Sequence, residues 1–268
     1  MKIIISHDID HISVHEHLFK DGIVTKFIIR NVIELILFRI SLKEYFLRWA
    51  NLFKNKWQNI DELMKFDKNH QIPSTFFLGV NKGKKLNYNN TQAEYWAKRI
   101  IQNNFDLGVH GIAFSSEELI YKEFEYFSRI SGSEKFGIRM HYLRNDSETL
   151  RNLDNAGYLF DSTIYAADDP YQIGNMWEFP LHFMDGYEID CKKRWQQKNL
   201  ETALKDTIQR IEETEKKNLK YLTILFHDRY FDSSFKTWKG WYTGIIDWLE
   251  KNNYEFISFT DAIKELNK

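Results

Sequence analysis

The chain has 268 residues, enough for one large domain with a well-buried core. Its 37 basic and 38 acidic side chains leave a formal net charge of −1, which argues against a basic nucleic-acid-binding surface. The single cysteine, Cys191, excludes an intramolecular disulfide, and without a recognisable motif around it we expect an inert thiol. The first residues lack the apolar run of a secretion signal, so we expect a cytoplasmic protein, with a possible position at the inner face of the membrane.

Strand-like and helix-like segments alternate along most of the chain, which favours a parallel α/β architecture. In chain order, strands are predicted at 2–6, 74–79, 106–109, 137–142, 160–165, 177–183, 221–226 and 255–259. Helices are predicted at 60–69, 91–103, 116–129, 147–156, around 200–211 and at 238–251, and a last helix is predicted with Thr260 as its cap.

A segment from about 14 to 56 interrupts this alternation. Between Lys26 and Lys54 it is strongly apolar, with a narrow polar stripe at helical spacing. Charges recur too often for a membrane-spanning helix, which needs about 20 mainly apolar residues. We interpret the segment as a helical insertion within a single domain covering 1–268. It either packs on the domain or in a homodimer interface, or forms a surface that meets a membrane or a lipid-linked substrate.

The first strand ends in an unusual polar cluster, His7-Asp8-Ile9-Asp10-His11. Two carboxylates and two imidazoles are costly to desolvate, so such a cluster indicates metal binding or proton transfer. If the strand continues, Asp8 and Asp10 point to the same side, because side chains alternate along a strand. The alternative is a polar turn after an edge strand.

Further polar residues lie at the ends of other predicted strands. They are His110, Arg139, His141 and His227. In a parallel barrel the carboxyl ends of the strands share one face, where the active site is built. A carboxylate with two histidines leaves positions open on a divalent metal, a second carboxylate can take a proton from water, and another histidine can protonate a leaving group. These residues together predict a metal-dependent hydrolase.

Six segments, in order, resemble motifs of the polysaccharide deacetylase superfamily, the NodB-like carbohydrate esterases of family 4. They are Ser6-His7-Asp8-Ile9-Asp10, Ile72-Pro73-Ser74-Thr75-Phe76-Phe77, Leu107-Gly108-Val109-His110, Gly137-Ile138-Arg139-Met140-His141-Tyr142, Ala156-Gly157-Tyr158-Leu159-Phe160-Asp161-Ser162-Thr163 and Leu225-Phe226-His227-Asp228. The resemblance covers nearly the whole chain outside the insertion. It implies a distorted (β/α)7-type barrel and metal-dependent removal of an N-acyl group from an amino sugar.

Two departures from the family pattern change the expected ligand set. The family's second motif has two histidines four residues apart, whereas here Phe114 stands at the second position. His141 replaces the proline of the third motif and can supply the missing imidazole. The chain thereby resembles a divergent branch found among bacterial surface-polysaccharide genes. The resemblance then implies Asp10, His110 and His141 as ligands of one divalent metal, for which zinc is our choice.

The resemblance also implies roles for the remaining residues. Asp8 would be the base and Asp10 a ligand, or the reverse, because Ile9 separates two aspartates that are adjacent in the family. Arg139 would orient Asp8 through a bidentate pair, unless it forms only a structural salt bridge. His227 would be the general acid, or simply a satisfied histidine at a strand end.

Four residues around this set have weaker assignments. Tyr142 is either a backbone donor to the oxyanion or a core tyrosine, and Trp177 is expected to line the sugar site. His7 and His11 flank the aspartates and could support the ligands or replace one.

The expected substrate is an amino sugar in a surface-polysaccharide or lipopolysaccharide precursor, and the expected acyl group is acetyl. One alternative is deformylation, or hydrolysis of another acyl amide, on a lipid-linked sugar, which the apolar insertion suggests. The other is a non-catalytic carbohydrate-binding relative, which the missing second-motif histidine suggests.

Overall fold

In this computed structural model, which describes residues 1–18, 20–190 and 197–268, ten strands form one curled sheet. Cys191 lies outside the described residues, so its predicted inertness is not addressed. The strands are β1 Lys2–Ile9, β2 Thr75–Leu78, β3 Asp106–Gly111, β4 Gly137–Met140, β5 Phe160–Asp161, β6 Tyr171–Ile173, β7 Met176–Glu178, β8 Phe183–Met184, β9 Tyr221–Leu225 and β10 Glu255–Phe256.

The strand order is β6-β7-β5-β4-β3-β2-β1-β9-β8, with β10 also paired to the start of β1. Every pair is parallel except β6 with β7. An isolated parallel bridge between Tyr165, after β5, and Leu181, before β8, brings the two sides of the curled sheet together. The sheet is therefore a distorted barrel, and the predicted fold class is confirmed.

Helices connect most of the strands and pack outside the sheet. They are α1 Ile23–Ile36, α2 Leu42–Phe53, α3 Ile60–Asn69, α4 Asn90–Gln102, α5 Glu117–Ser131, α6 Thr149–Ala156, α7 Asp185–Ile189, α8 Leu200–Lys216, α9 Lys236–Lys251 and α10 Phe259–Leu266. The pair α1 and α2 follows β1, where the sequence predicts a helical segment. None of the helices in the described part of the chain is both long and apolar enough to cross a membrane.

The predicted cap of the last helix is wrong by two residues. The Ser258 hydroxyl, not Thr260, accepts the first free backbone N–H of α10, from Asp261 at 3.0 Å. The helix starts two residues earlier than a cap at Thr260 implies, which places Thr260 inside its first turn. There its hydroxyl donates to Asp106 instead.

Alternate side chains of β1 point into two different apolar cores, one on each face of the sheet. Ile3 and Ile5 belong to the large core between the sheet and the helices, whereas Ile4 belongs to a smaller cluster of phenylalanines inside the barrel. Phe259 of α10 closes that inner cluster from below, stacked on Phe160 at 4.4 Å. Ser6 and Asp8 follow Ile4 on the same side of the strand. These polar residues therefore lie next to the apolar cluster inside the barrel, further along β1.

Candidate metal centre and active site

Three strand ends bring Asp10, His110 and His141 together. Asp10 directly follows β1, His110 lies on β3 and His141 directly follows β4. Asp10 Oδ1 is 3.2 Å from both His110 Nε2 and His141 Nδ1, and these two nitrogens are 2.9 Å apart.

The outer nitrogen of each histidine faces a backbone carbonyl. His110 Nδ1 is 3.1 Å from the Arg139 oxygen, and His141 Nε2 is 3.0 Å from the Lys84 oxygen. A carbonyl can only accept, so the proton of each neutral ring lies on that outer nitrogen. The lone pairs of His110 Nε2 and His141 Nδ1 then converge with the Asp10 carboxylate.

Three converging electron-pair donors, one of them anionic, repel one another unless a cation lies between them. Tetrahedral ligands at about 2.1 Å from zinc lie about 3.4 Å apart, close to the separations seen here. The orientation of each ring by a backbone carbonyl is also typical of metal-bound histidines. The residues present therefore fit a divalent metal, and the three side chains that the sequence analysis proposes as ligands do lie together.

Asp8 is buried and lies beside this cluster. Arg139 Nη1 donates to Asp8 Oδ1 at 2.9 Å, and Asp8 Oδ2 is 3.7 Å from His110 Nδ1. Asp8 and Asp10 line the same cavity of about 230 Å³, as the strand alternation predicts. Asp8 is thus a fixed carboxylate with one oxygen at the edge of the metal cluster.

Arg139 does not form the bidentate pair with Asp8 that the sequence analysis expects. Its Nη1 also donates to the Ser6 hydroxyl, and its other nitrogens donate to the backbone oxygen and hydroxyl of Ser162, all at 2.9 Å. The guanidinium is completely buried and lies 4.4 Å from the Phe77 ring centre. Ser162 accepts from Nε and Nη2 of the guanidinium, so only Nη1 is left to donate to Asp8.

His227 follows β9 and lines the same cavity. Its Nδ1 lies 2.7 Å from Asp185 Oδ1, while its backbone N–H donates to Asp185 Oδ2 at 2.8 Å. Its Nε2 is 3.7 Å from Asp10 Oδ2. Burial would lower the pKa of His227, but the Asp185 carboxylate outweighs it and raises that pKa to about 10. His227 is therefore a held, protonated imidazole.

Sequence reasoning missed Asp185. It opens the five-residue helix α7 after the two-residue strand β8, so neither element carries a clear periodic pattern. Only the structure shows that this fully buried carboxylate fixes His227.

Tyr142 is not a core tyrosine, because 59% of its surface is exposed. Its backbone is in the left-handed region at φ 60°, directly after the ligand His141, and it lines the cavity. The alternative reading, a backbone donor near the reacting carbonyl, is compatible with this position.

Trp177, which the sequence analysis expects at the sugar site, lies away from both cavities at the candidate metal centre. Its indole Nε1 donates to Asn267 at 3.3 Å, near the C-terminal end of α10, and it packs against the inner phenylalanine cluster. Strand alternation turns it away from its neighbour Glu178, and neither cavity beside the metal centre is lined by it.

The two histidines that flank the aspartates have different surroundings. His7 faces the helices, with Nε2 2.8 Å from Asp67 Oδ2 and Nδ1 3.0 Å from the Phe226 oxygen, so it is not a metal ligand. His11 lies next to Glu16 and His17, which form a second group of potential ligand atoms. His17 is already held there by Glu16 at 3.1 Å and by Asp21 at 2.7 Å.

The sequence matches no protein-family model, and no curated protein matches it significantly. Solved structures do match. One is a Mycobacterium smegmatis protein described as a polysaccharide deacetylase, 13% identical, with a TM-score of 0.64 over 98% of this chain and 88% of that one. The chain has the polysaccharide deacetylase fold. The resemblance seen in the sequence is thereby confirmed at the level of the fold.

The same fold also occurs in proteins with other properties. An allantoinase is 11% identical, with a TM-score of 0.63 over 97% of this chain and 87% of that one. A variant of a family 4 pseudoenzyme with restored enzymatic activity is 12% identical, with a TM-score of 0.51 over 97% of this chain and 66% of that one. The polysaccharide deacetylase fold thus holds both active and inactive sites, and the residues must decide the chemistry.

Proposed function

We propose that the protein is a metal-dependent hydrolase that removes an N-acyl group, most simply acetyl, from an amino sugar. The observation that carries this proposal is the convergence of the Asp10, His110 and His141 lone pairs between two separately held groups. Those groups are a carboxylate, Asp8, fixed by Arg139, and a protonated imidazole, His227, fixed by Asp185. The polysaccharide deacetylase fold supports the same reading.

Asp10 rather than Asp8 is the proposed ligand. Asp10 Oδ1 faces the unprotonated nitrogens of both histidines, whereas Asp8 faces the outer nitrogen of His110. Asp8 therefore keeps one oxygen available for a proton. This assignment separates the base from the ligand, which the sequence left open.

A divalent metal held by Asp10, His110 and His141 would polarise the acyl carbonyl and lower the pKa of the attacking water. Zinc is the proposed ion because it takes nitrogen and oxygen ligands in this number. Asp8 accepts the proton of the water, with its orientation set by Arg139. His227 donates the proton on Nε2 to the departing amine. The Tyr142 backbone N–H is the proposed donor to the oxyanion.

The proposed substrate is a precursor of a surface polysaccharide or lipopolysaccharide, met in the cytoplasm at the inner face of the membrane. A formyl or longer acyl group in place of acetyl is the main variant of this proposal. A panel of N-acetyl, N-formyl and longer N-acyl amino sugars distinguishes these substrates, because the 230 Å³ cavity limits the acyl group that fits.

We also propose that the hairpin of α1 and α2 lies against an anionic lipid surface rather than a second copy of the chain. Its outer side exposes large apolar residues, Ile36, Phe38, Leu42, Phe46 and Phe53. Between residues 22 and 56 both acidic side chains, Glu34 and Glu44, are buried, whereas the exposed charged side chains are basic. An apolar surface with basic flanks is typical of helices that lie in the membrane interface.

The metal content of the purified protein, measured by mass spectrometry, tests the proposed function. We expect close to one divalent ion per chain in the wild type and its loss in His141→Ala. His17→Ala tests the second histidine group and should retain the ion, as should His15→Ala, which removes an exposed histidine.

Absence of metal from the wild type after incubation with zinc would contradict the hydrolase and favour a non-catalytic carbohydrate-binding protein. Loss of the ion in His17→Ala, with retention in His141→Ala, would place the metal at His11, Glu16 and His17 instead. Bound metal without hydrolysis of any N-acyl amino sugar would also overturn the proposed reaction.

A further inference from the structure

A second cavity, of about 400 Å³, lies between the metal centre and α1. Asp10, His141 and Tyr142 line both this cavity and the smaller one, so the two spaces adjoin at the metal centre. Five cationic side chains line the larger cavity, against two carboxylates. The cations are Lys26, Arg30, Arg48, Lys85 and Arg229, and the carboxylates are Asp10 and Glu34.

Two of these cations are neutralised within the protein. Glu34 accepts from Arg30 Nε at 2.5 Å and from Arg48 Nη1 at 2.6 Å, and Arg30 also reaches Asp190 at 3.0 Å. With Asp10 engaged by the two histidines, no carboxylate of the cavity wall remains for the other three cations. Lys26, Lys85 and Arg229 are thus an excess of positive charge.

Arg229 is held in place without any anionic partner among the described residues. Its guanidinium lies 4.1 Å from the ring centre of Trp57 and 5.2 Å from that of Phe27. Its Nε is buried and has no hydrogen-bond partner in the described part of the chain. Arg229 is half-buried, and withdrawing its Nε from water without a partner is unfavourable, because the desolvation of that donor is not compensated. The two aromatic rings orient the guanidinium of Arg229, and its N–H donors remain available to a ligand.

Lys85 reaches the same cavity from a strained turn. Gly83 and Leu86 exchange backbone hydrogen bonds at 2.9 and 3.0 Å, and the two residues between them have left-handed φ values of 49° and 81°. Two consecutive lysines are poor choices for such a turn, which favours Asn-Gly. The carbonyl of Lys84 orients the ligand His141, while Lys85 lines the cavity. Strain retained at such a place is typical of a functional site.

We propose that this cavity binds a phosphate group of the substrate, so that the enzyme acts on an amino sugar carrying a phosphate ester or diphosphate ester. One planar guanidinium and two ammonium groups carry three positive charges. A ligand phosphate, which is tetrahedral and multiply charged, matches them better than a ligand carboxylate with a single charge. The sugar then spans the shared wall, with its acyl amide at the metal centre and its phosphate at Arg229. This proposal rests on the proposed function, because the amide end is assigned by it.

Two measurements test the phosphate site. Calorimetry with inorganic pyrophosphate measures binding independently of turnover, in wild type and in variants of equal metal content. Arg229→Gln and Lys85→Gln should each weaken binding at least tenfold. Lys82→Gln is the matched control, because Lys82 is an exposed neighbour on the same loop outside the cavity, and it should bind as the wild type does.

Hydrolysis of N-acetylglucosamine, its 1-phosphate, its nucleotide diphosphate and a short-chain polyprenyl diphosphate form is then compared. We expect kcat/KM to be at least tenfold higher for one of the phosphorylated sugars than for the free sugar. Arg229→Gln and Lys85→Gln should each lose that preference. Preference for the nucleotide or for the polyprenyl form identifies the source of the phosphate.

Equal rates on free and phosphorylated sugars, with pyrophosphate binding unaffected in both variants, would overturn the phosphate site and leave the hydrolase intact. A preference for an N-acetylated uronic acid over the 1-phosphate would replace phosphate by carboxylate. Pyrophosphate binding that depends on Arg229 and Lys85, without any hydrolysis, would retain the site and reject the proposed reaction. Lys85 is half-buried on a loop, so Lys85→Gln keeps the test valid if Arg229→Gln fails to fold.

Discussion

Asp8 and Asp10 are two residues apart in the chain but have different neighbours. Asp8 is held by a buried arginine, and Asp10 faces two imidazole lone pairs. The two substitutions Asp8→Asn and Asp10→Asn are nearly isosteric, so they separate the chemistry of the two carboxylates with little change in packing.

We expect Asp8→Asn to retain the metal and to lose turnover by roughly 10²–10⁴-fold, the range typical of a general base. An amide oxygen cannot take a proton from water near neutral pH. Asp10→Asn should instead lose metal. Metal analysis and turnover are measured on the same samples, and full activity in Asp8→Asn, or metal loss there with retention in Asp10→Asn, would reverse the two assignments.

Asp185 acts through His227 and is a positioning residue. Asp185→Asn removes the charge that keeps the proton on the imidazole and weakens the bond to Nδ1. Because the proton is transferred in the transition state, kcat should fall by roughly 10²-fold or more while KM changes little. A rise in KM with unchanged kcat would show that Asp185 only shapes the binding cavity. Asp168→Asn, which changes an exposed carboxylate outside both cavities, is the control.

At the level of elements, β5 and β7 place two carboxylates opposite each other, on the face of the sheet that points away from the inner phenylalanine cluster. Asp161 and Glu178 are register partners and both are fully buried. Burial raises the pKa of each, and the proximity of Asp161 raises that of Glu178 further, well above its ordinary value. The folded pair therefore keeps a proton that the unfolded chain releases above the ordinary carboxyl pKa.

Such a pair makes the protein less stable as pH rises, because the unfolded state then binds fewer protons than the folded one. Glu178→Gln replaces the shared proton by an amide N–H and should remove this slope. We expect the difference in Tm, variant minus wild type, to increase from pH 5 to pH 8. Glu125→Gln, on the exposed side of α5, should show no such trend. A constant difference would mean that the pair holds no proton.

The hairpin of α1 and α2 is joined to the barrel by polar contacts. Arg48 donates to the Ser234 oxygen at 2.8 Å, and Asn51 donates to Asp232 at 2.9 Å. Its apolar side chains consequently remain outside, with Phe38 94% and Phe53 81% exposed. This distribution is the reverse of an ordinary amphipathic helix, whose apolar face is turned toward the core.

We expect the wild type to sediment with vesicles containing anionic lipid, and Phe38→Ser combined with Phe53→Ser to reduce the bound fraction several-fold. Tyr121→Ser, which removes an exposed aromatic residue from α5, is the control. Equal sedimentation of all three proteins would reject the lipid surface. A dimer in solution that dissociates in the double variant would assign the hairpin to a homodimer interface instead.

Across the whole molecule, the sequence predicted what depends on local pattern. The strand ends carrying Asp8, His110, His141 and His227 could be found because apolar runs end there in polar residues. The distorted barrel followed from the alternation of strands and helices together with the family resemblance. The proximity of His141 to Asp10 and His110 could be expected because Phe114 stands where the family has its second histidine.

What the sequence could not predict depends on side-chain direction and on contacts between distant segments. Asp185 opens a helix of five residues and Arg229 lies in a 3-10 turn of three, both too short to show a periodic pattern. Their partners come from distant segments of the chain. Trp177 packs near α10 and not at either cavity, and a strand of three residues does not reveal this position along the barrel. Lys84 acts through its carbonyl, which no side-chain pattern reveals.

The three proposed metal ligands lie on β3 or directly after β1 and β4, and the strands β1 to β4 are consecutive neighbours in the sheet. All three are therefore synthesised within the first 141 residues, whereas the residues that hold and donate the proton come more than forty residues later. On the ribosome, the chain contains a complete set of ligands before it contains an acid. The proposed ligands of the ion and the proposed acid of the reaction thus belong to different parts of the chain, and the ligands are translated first.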